Sequence, residues 1–210
     1  MTHLSILSDF LLLLFQMHHL PAHNPMDVIR RQQVVLHEKE KQIFKTSDSS
    51  NIKSVIGNFE VYATFLANLH PMYDVLEAHA MAKGLLNGLP DIRRAPSIHE
   101  DFKELWTGAE RAPQLEVTKK YIDHIRDIAD DEVRLFAHVY TRHMGDLSGG
   151  KMIAKKVPGE GRLYQFKEPD TLKTKIRERL TDDMAEESKV CFEFATQTFR
   201  EMMPYVNTPS

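Results

Sequence analysis

The sequence predicts an all-α fold: a single-domain bundle of helices around one core. Three observations predict it. Apolar residues recur at steps of three and four over long stretches, which places them on one helix face. No stretch alternates apolar and polar residues as a half-buried strand would, and no internal repeat occurs. A length of 210 residues suits one domain with one core.

Composition narrows the class. With 42% hydrophobic and 27% charged residues, the chain is not wholly disordered, collagen-like or a polytopic membrane protein. Lys and Arg total 27 against 30 Asp and Glu, a net charge of −3, so there is no global excess of positive charge to attract nucleic acid. Cys191 is the single cysteine, which excludes an intramolecular disulfide and a cysteine-only zinc site and fits a reducing compartment.

Residues 1–26 read as a loosely attached N-terminal extension, with an additional docking helix as the alternative and Met17 or Met26 as alternative starts. The apolar stretch Leu4–Met17 is broken by Asp9 and is too short to span a bilayer. The first sixteen residues hold no Lys or Arg, which argues against a secretory or transit signal. The expectation is a soluble, cytoplasmic protein with no membrane anchor. The helical domain is expected over residues 27–203, and 204–210 as a tail.

The elements follow in order. Pro25 and Asp27 mark the start of a helix running to about Lys45, with Val28, Val35, Leu36, Ile43 and Phe44 apolar. Thr46–Asn51 is a loop. Phe59, Tyr62, Phe65, Leu66, Leu69, Tyr73, Leu76 and Ala80 form the best apolar stripe in the chain, with Pro71 inside it predicting a kink. Gly84–Pro96 is a connector. Ser97 and Glu100 read as a capping box opening the next helix. Pro113 is expected to open a further helix carrying Tyr121, Ile122, Ile125 and Ile128. Asp130–Lys156 reads as mostly helical, and Pro158–Gly161 as a turn. One last helix is expected from near Pro169, with Leu172, Ile176, Leu180, Met184, Phe192, Ala195 and Phe199 on its apolar side.

Chemistry concentrates in residues 135–151, LFAHVYTRHMGDLSGGK. Gly145, Gly150 and Lys151 match the spacing of a phosphate loop. The residue after Lys151 is Met152, which has no hydroxyl for magnesium, and the approach is helical rather than a strand. The helical reading aligns His138, Arg142 and Asp146 at four-residue steps, with Gly145, Gly149 and Gly150 alongside. Each glycine inside a helix costs about 1 kcal/mol relative to Ala. Three of them are explained by a flat ligand resting close to the backbone, or by a bend packed closely on another helix. Arg142 and Asp146 are expected to pair and hold a polar group or water over that surface.

Residues 138–150 resemble the haem oxygenase signature, H-x-Y-x-R-x-x-G-D-L-S-G-G. All nine fixed positions are present: His138, Tyr140, Arg142, Gly145, Asp146, Leu147, Ser148, Gly149 and Gly150. Weaker similarity runs from residue 27 to 203, through Leu66–Leu69 with Tyr73, Leu76 and Glu77, and through Glu186–Phe192. The resemblance implies a kinked, glycine-rich distal helix that clamps haem against a proximal helix. It implies oxidative cleavage of haem to biliverdin, carbon monoxide and ferrous iron, using dioxygen and electrons from a ferredoxin or flavoprotein reductase. Haem is then both cofactor and substrate. By the same resemblance Gly145 and Gly149 contact haem, Asp146 anchors a water network and Arg142 supports it.

The implied iron ligand is His37 on the first helix, since neutral imidazole suits iron. The family's orienting Glu four residues on is Lys41 here, with Glu40 adjacent. Arg30, Lys173 and Arg177 are the cations expected at the haem propionates, with Tyr140 as a hydroxyl donor. Each cation reads equally well as part of a solvated helix face. His70, His79, His99, His124 and His143 are expected to be surface or satisfied interior residues. Lys119, Lys120, Lys151, Lys155 and Lys156 read as a solvated face, with attraction of an acidic electron donor as the alternative.

Two other classes remain in view. A haem-binding or haem-sensing protein without turnover is the alternative that the departures around His37 motivate; Asp146 argues for catalysis, because binding alone needs no distal carboxylate. A carboxylate di-iron protein needs Glu-x-x-His pairs, and none of the eleven histidines has Glu or Asp three residues before it.

Overall fold

A computed structural model describes residues 59–206. Arg30, His37, the helix read over residues 27–45 and the loop after it lie outside the described residues. All regular secondary structure among the described residues is helical. Its α-helices are α1 (Phe59–Ala82), α2 (Ala95–Leu105), α3 (Glu116–Asp127), α4 (Glu132–Ile153), α5 (Pro169–Arg177) and α6 (Ala185–Val206). Single 3-10 turns at Arg162–Tyr164 and Asp182–Met184 precede α5 and α6.

Helix α1 is the spine of the bundle, packed against α2, α3, α4 and α6. Its predicted stripe is buried from Tyr62 onward, with Tyr62, Leu66, Leu76 and Ala80 at or near zero exposure, whereas Phe59 at its start is exposed; Met72 joins the buried face. It is helical without interruption through Pro71. Thr64, Asn68 and Glu77 share this buried face, and each is hydrogen-bonded. Asn68 uses all four of its hydrogen-bonding positions: Nδ2 donates to Thr64 O and Pro113 O, and Oδ1 accepts from Leu115 N and Thr118 Oγ1. Those bonds fix where α3 begins. Leu115 is its N-cap residue and Asn68 caps it from another helix, so α3 opens at Glu116 rather than at Pro113.

Helix α2 likewise starts differently from expectation. It opens at Ala95, and the predicted Ser97 capping box is not its cap. The Glu77 side chain on α1 accepts from Arg94 N and Ala95 N instead, placing a carboxylate at the positive end of the helix dipole. At the other end of α2, buried Asp101 accepts from Arg162 N, Arg162 Nη1 and Leu163 N, tying the 162–164 turn to the bundle. The left-handed backbone of Gly159 and Gly161 (φ 75° and 61°) makes the predicted reversal before that turn.

Helix α4 crosses the middle of the molecule, in contact with α1, α5, α6 and both 3-10 turns. The Asp131 side chain caps it by accepting from Arg134 N at 3.0 Å. The single helix expected after Pro169 is two. Leu172, Ile176, Leu180 and Met184 are all buried, but Thr181 is extended (φ −128°, ψ 160°) and separates α5 from the next turn. Asp182, Asp183, Glu186 and Glu187 follow that break, where a helix N-terminus favours negative charge. Helix α6 continues through Pro204 to Val206, past the expected boundary at 203.

Candidate active site on helix α4

The sequence stripe on α4 turns inward, toward three other helices. His138, Arg142 and Asp146 are all buried and meet α6, α3 and α1 respectively. Asp146 Oδ2 accepts a 2.6 Å hydrogen bond from the Tyr73 hydroxyl of α1. Burial pushes the Asp146 carboxyl up to about 6, although the Tyr73 bond and the charges of His143, Arg94 and Arg142 oppose the rise. A carboxyl near neutrality can both take and give a proton at ordinary pH.

Arg142 and Asp146 share no ion pair, contrary to the sequence expectation. The Arg142 guanidinium lies 4.2 Å from the centroid of the Tyr121 ring and 5.6 Å from that of Tyr73. Its Nη2 is 3.7 Å from Met72 Sδ, and its buried Nε has no hydrogen-bond partner among the described residues. An arginine held over aromatic faces acts on Asp146 through its field, with its donors uncommitted to the carboxylate.

His143 is the satisfied interior histidine the sequence expected. Nδ1 lies 2.9 Å from Val139 O and Nε2 3.1 Å from Glu77 Oε1. Glu77 is fully buried, so one carboxylate holds both the α2 terminus and the α4 imidazole. On the next stripe position, His138 Nε2 is 2.8 Å from Glu187 Oε1, and Nδ1 is 3.1 Å from the Tyr121 hydroxyl. Burial pushes Glu187 up, but hydrogen bonds from His124, His138 and Arg134 outweigh it and hold its carboxyl well below the usual range.

The glycines are buried along α4: Gly145, Gly149 and Gly150 all lie inside. Tyr140 is also buried, at 1% exposure. Lys173 and Arg177 are four residues apart on α5, both half-buried, and α5 packs against α4. Lys173 pairs with Asp170 at 3.4 Å on its own helix, while Arg177 Nε is buried without a partner among the described residues. The structure thus gathers Arg142, Asp146, Gly145, Gly149 and Tyr140 on α4, with the two α5 cations on a neighbouring helix.

Tyr73 and Tyr121 were legible only as core positions, since nothing local marks an apolar-stripe tyrosine as a partner of a distant acid or arginine. Glu77 gave a usable signal: an acidic residue four positions after Tyr73 on the most apolar face of the chain must find a buried partner.

Comparisons with known proteins agree with this architecture. The heme oxygenase family model matches residues 36–207. Heme oxygenase 2 of Macaca fascicularis is 34% identical over 142 residues, 53% of this chain and 43% of that one. Heme oxygenase 2 of Synechocystis is 34% identical over 125 residues, 51% of this chain and 49% of that one. The chain therefore matches about half the length of these relatives, or somewhat less. Among solved structures, heme oxygenase-1 of Synechocystis in complex with heme superposes with a TM-score of 0.68 at 18% identity, covering 85% of this chain and 93% of that one. Heme oxygenase 2 of Chlamydomonas reinhardtii, solved without heme, gives 0.72 at 16% identity, covering 86% and 98%. At these identities the superpositions speak for the fold. Among the described residues no helix is long and apolar enough to cross a membrane.

Proposed function

The chain belongs to the haem oxygenase family, and from that premise we propose that it is a catalytically active member. Its reaction is the oxidative opening of haem to biliverdin, carbon monoxide and ferrous iron, with dioxygen as oxidant and electrons from a ferredoxin or a flavoprotein reductase.

The observation that carries this reading is the buried Asp146 carboxyl. A protein that only bound haem would gain nothing from an acid kept out of water, poised near pH 6 and held by one tyrosine hydroxyl. Perturbed carboxyls of this kind belong with proton handling.

The residues present fit haem. Gly145 and Gly149 carry no side chain, so a flat macrocycle could come closer to the α4 backbone there than at any other residue type. His37 is the ligand we assign to the iron. Tyr140, Arg30, Lys173 and Arg177 are the groups we assign to the propionates; the orphaned Arg177 Nε has a donor to spare. Bound haem would supply the iron at which dioxygen is activated and the ring that is cleaved. Asp146 orients water and holds or releases a proton at Oδ1, because Oδ2 is taken by Tyr73. Arg142 lowers the cost of ionising Asp146 without neutralising it in an ion pair.

The test is an absorption spectrum of the protein with one equivalent of hemin, followed in air with ascorbate or with ferredoxin and its reductase. A sharp Soret band that decays as a broad red biliverdin band grows is the expected result. Asp146→Ala is expected to keep the Soret band and lose biliverdin, and His37→Ala to lose the sharp band. A Soret band that persists under reductant in air would favour the alternative, a haem-binding protein without turnover. No band at all would refute the His37 assignment and the haem site together.

A further inference from the structure

Three side chains from three helices converge on one point at the far end of the α4 stripe. His124 comes from α3, His138 from α4 and Glu187 from α6. Glu187 Oε1 lies 2.5 Å from His124 Nε2 and 2.8 Å from His138 Nε2. The three atoms all lie within 4.8 Å of one another. Both imidazoles therefore turn the same nitrogen, Nε2, toward a single carboxylate oxygen. His138 and Glu187 are buried, while the His124 side chain keeps 21% exposure and opens the cluster to solvent on one side.

We propose that His124, His138 and Glu187 form a binding site for a divalent transition-metal ion of the zinc class, distinct from the haem iron. Two imidazole nitrogens and one carboxylate oxygen are a common zinc donor set, with solvent in the fourth position. Calcium and magnesium would want oxygen ligands throughout. The surroundings suit such a role. His138 Nδ1 stands 3.1 Å from the Tyr121 hydroxyl, whose oxygen can accept a hydrogen bond from Nδ1–H once Nε2 is given to a metal. Arg134 Nε holds Glu187 Oε2 at 2.6 Å, so that Oε1 alone faces the two imidazoles. His124, the partly exposed ligand, leaves a route for the ion to enter.

The geometry needs only a small adjustment. Ligand atoms about 2.0–2.2 Å from a tetrahedral zinc stand about 3.3–3.6 Å apart. The present spacings of 2.5 and 2.8 Å from Glu187 Oε1 are those of hydrogen bonds, so those two pairs would part by about 0.5–1 Å, and the two Nε2 atoms, now within 4.8 Å of each other, would settle at the same spacing. Side-chain torsions on three helix surfaces absorb a movement of that size without shifting backbone.

The experiment uses the full chain, free of haem and stripped with a chelator, so its outcome does not depend on the activity proposed above. Equilibrium dialysis against zinc is expected to show one tightly held ion per chain. Cobalt in its place is expected to give the intense visible absorption of a low-coordinate site. Zinc is also expected to raise the melting temperature, because it binds only the folded cluster. His124→Ala and Glu187→Gln should each abolish the tight ion, the cobalt spectrum and the melting shift. His124→Ala removes a partly exposed side chain and is the variant expected to fold unchanged by circular dichroism. Failure of the unmodified chain to hold zinc or cobalt overturns the proposal. So does a tight zinc ion that survives His124→Ala in a folded protein, since other histidines of the chain would then hold it.

Discussion

The Tyr73 hydroxyl donates to Asp146 Oδ2 at 2.6 Å, joining the spine helix to the helix that carries the signature residues. The bond is charge-assisted when Asp146 is ionised, and no other described residue donates to this carboxylate. Tyr73→Phe removes the donor and keeps the ring. A lost hydrogen bond to a charged group costs about 1.5–3 kcal/mol. The Asp146 carboxylate, less stabilised, should titrate higher than its present value near 6. The pH profile of haem turnover should move toward higher pH, and urea unfolding should show the stability loss at neutral pH. An unmoved profile would separate Tyr73 from the proton-handling role.

Asp146→Asn should stabilise the fold above pH 6. The sign follows from burial. Asp146 rises from 3.8 to about 6 on folding, so its contribution is fully present below pH 4 and is lost as pH climbs through 6. Asparagine stays neutral throughout. A rise of about two units corresponds to about 3 kcal/mol. The value near 6 already contains the effect of the Tyr73 bond. Denaturation at pH 4 should find the two proteins about equal, and at pH 7.5 the Asn variant more stable by up to about 3 kcal/mol, with turnover lost. Equal stability at pH 7.5 would mean that Asp146 is better solvated than its burial shows.

Glu77→Ala should be among the most damaging single substitutions in the chain. Glu77 is at zero exposure and serves Arg94 N, Ala95 N and His143 Nε2. Removing it strands all three donors, and breaking a buried pair of this kind costs about 3–5 kcal/mol. Glu77→Gln keeps one acceptor and should lose less. Burial pushes Glu77 up, but the His143 and backbone bonds outweigh that and hold it below 4.5. The advantage of Glu77 over Gln is therefore present above pH 4.5 and fades on further acidification. Parallel melts of the two proteins across that range would show whether it does.

These residues also show what the chain makes legible and what it does not. The α1 stripe and the α4 signature are local patterns, so Leu66, Leu76, Asp146 and the glycines could be placed from spacing alone. Helix starts set from afar could not. Glu77 caps α2 and Asn68 caps α3, each from a different helix, and in both cases a plausible local signal at Ser97 or Pro113 was passed over. The break between α5 and α6 was hidden because Leu172, Ile176, Leu180 and Met184 keep a four-residue step straight across it. Within the site, Arg142 and Asp146 sit one turn apart and read as a pair. The structure gives each a separate aromatic partner, because Tyr73 and Tyr121 arrive from helices that sequence spacing cannot dock.

Gly150 is where the glycine-rich helix has a demonstrable steric need. A Cβ placed there would lie 2.9 Å from Tyr164 Cβ, 3.1 Å from Tyr164 Cδ1 and 3.4 Å from Tyr164 Cα. Two of those atoms belong to, or sit directly on, the backbone of the 162–164 turn, which Asp101 clamps to α2. The turn therefore cannot swing away cheaply. Ala gains about 1 kcal/mol over Gly in a helix interior. Overpacking at a clamped contact costs typically 1–3 kcal/mol. Gly150→Ala should thus destabilise by up to about 2 kcal/mol, read from urea unfolding. The clashing atoms are common to tyrosine and phenylalanine, so adding Tyr164→Phe should give no relief. If the double variant recovered stability, the contact would be governed by the Tyr164 hydroxyl and not by the close approach of the turn to the helix.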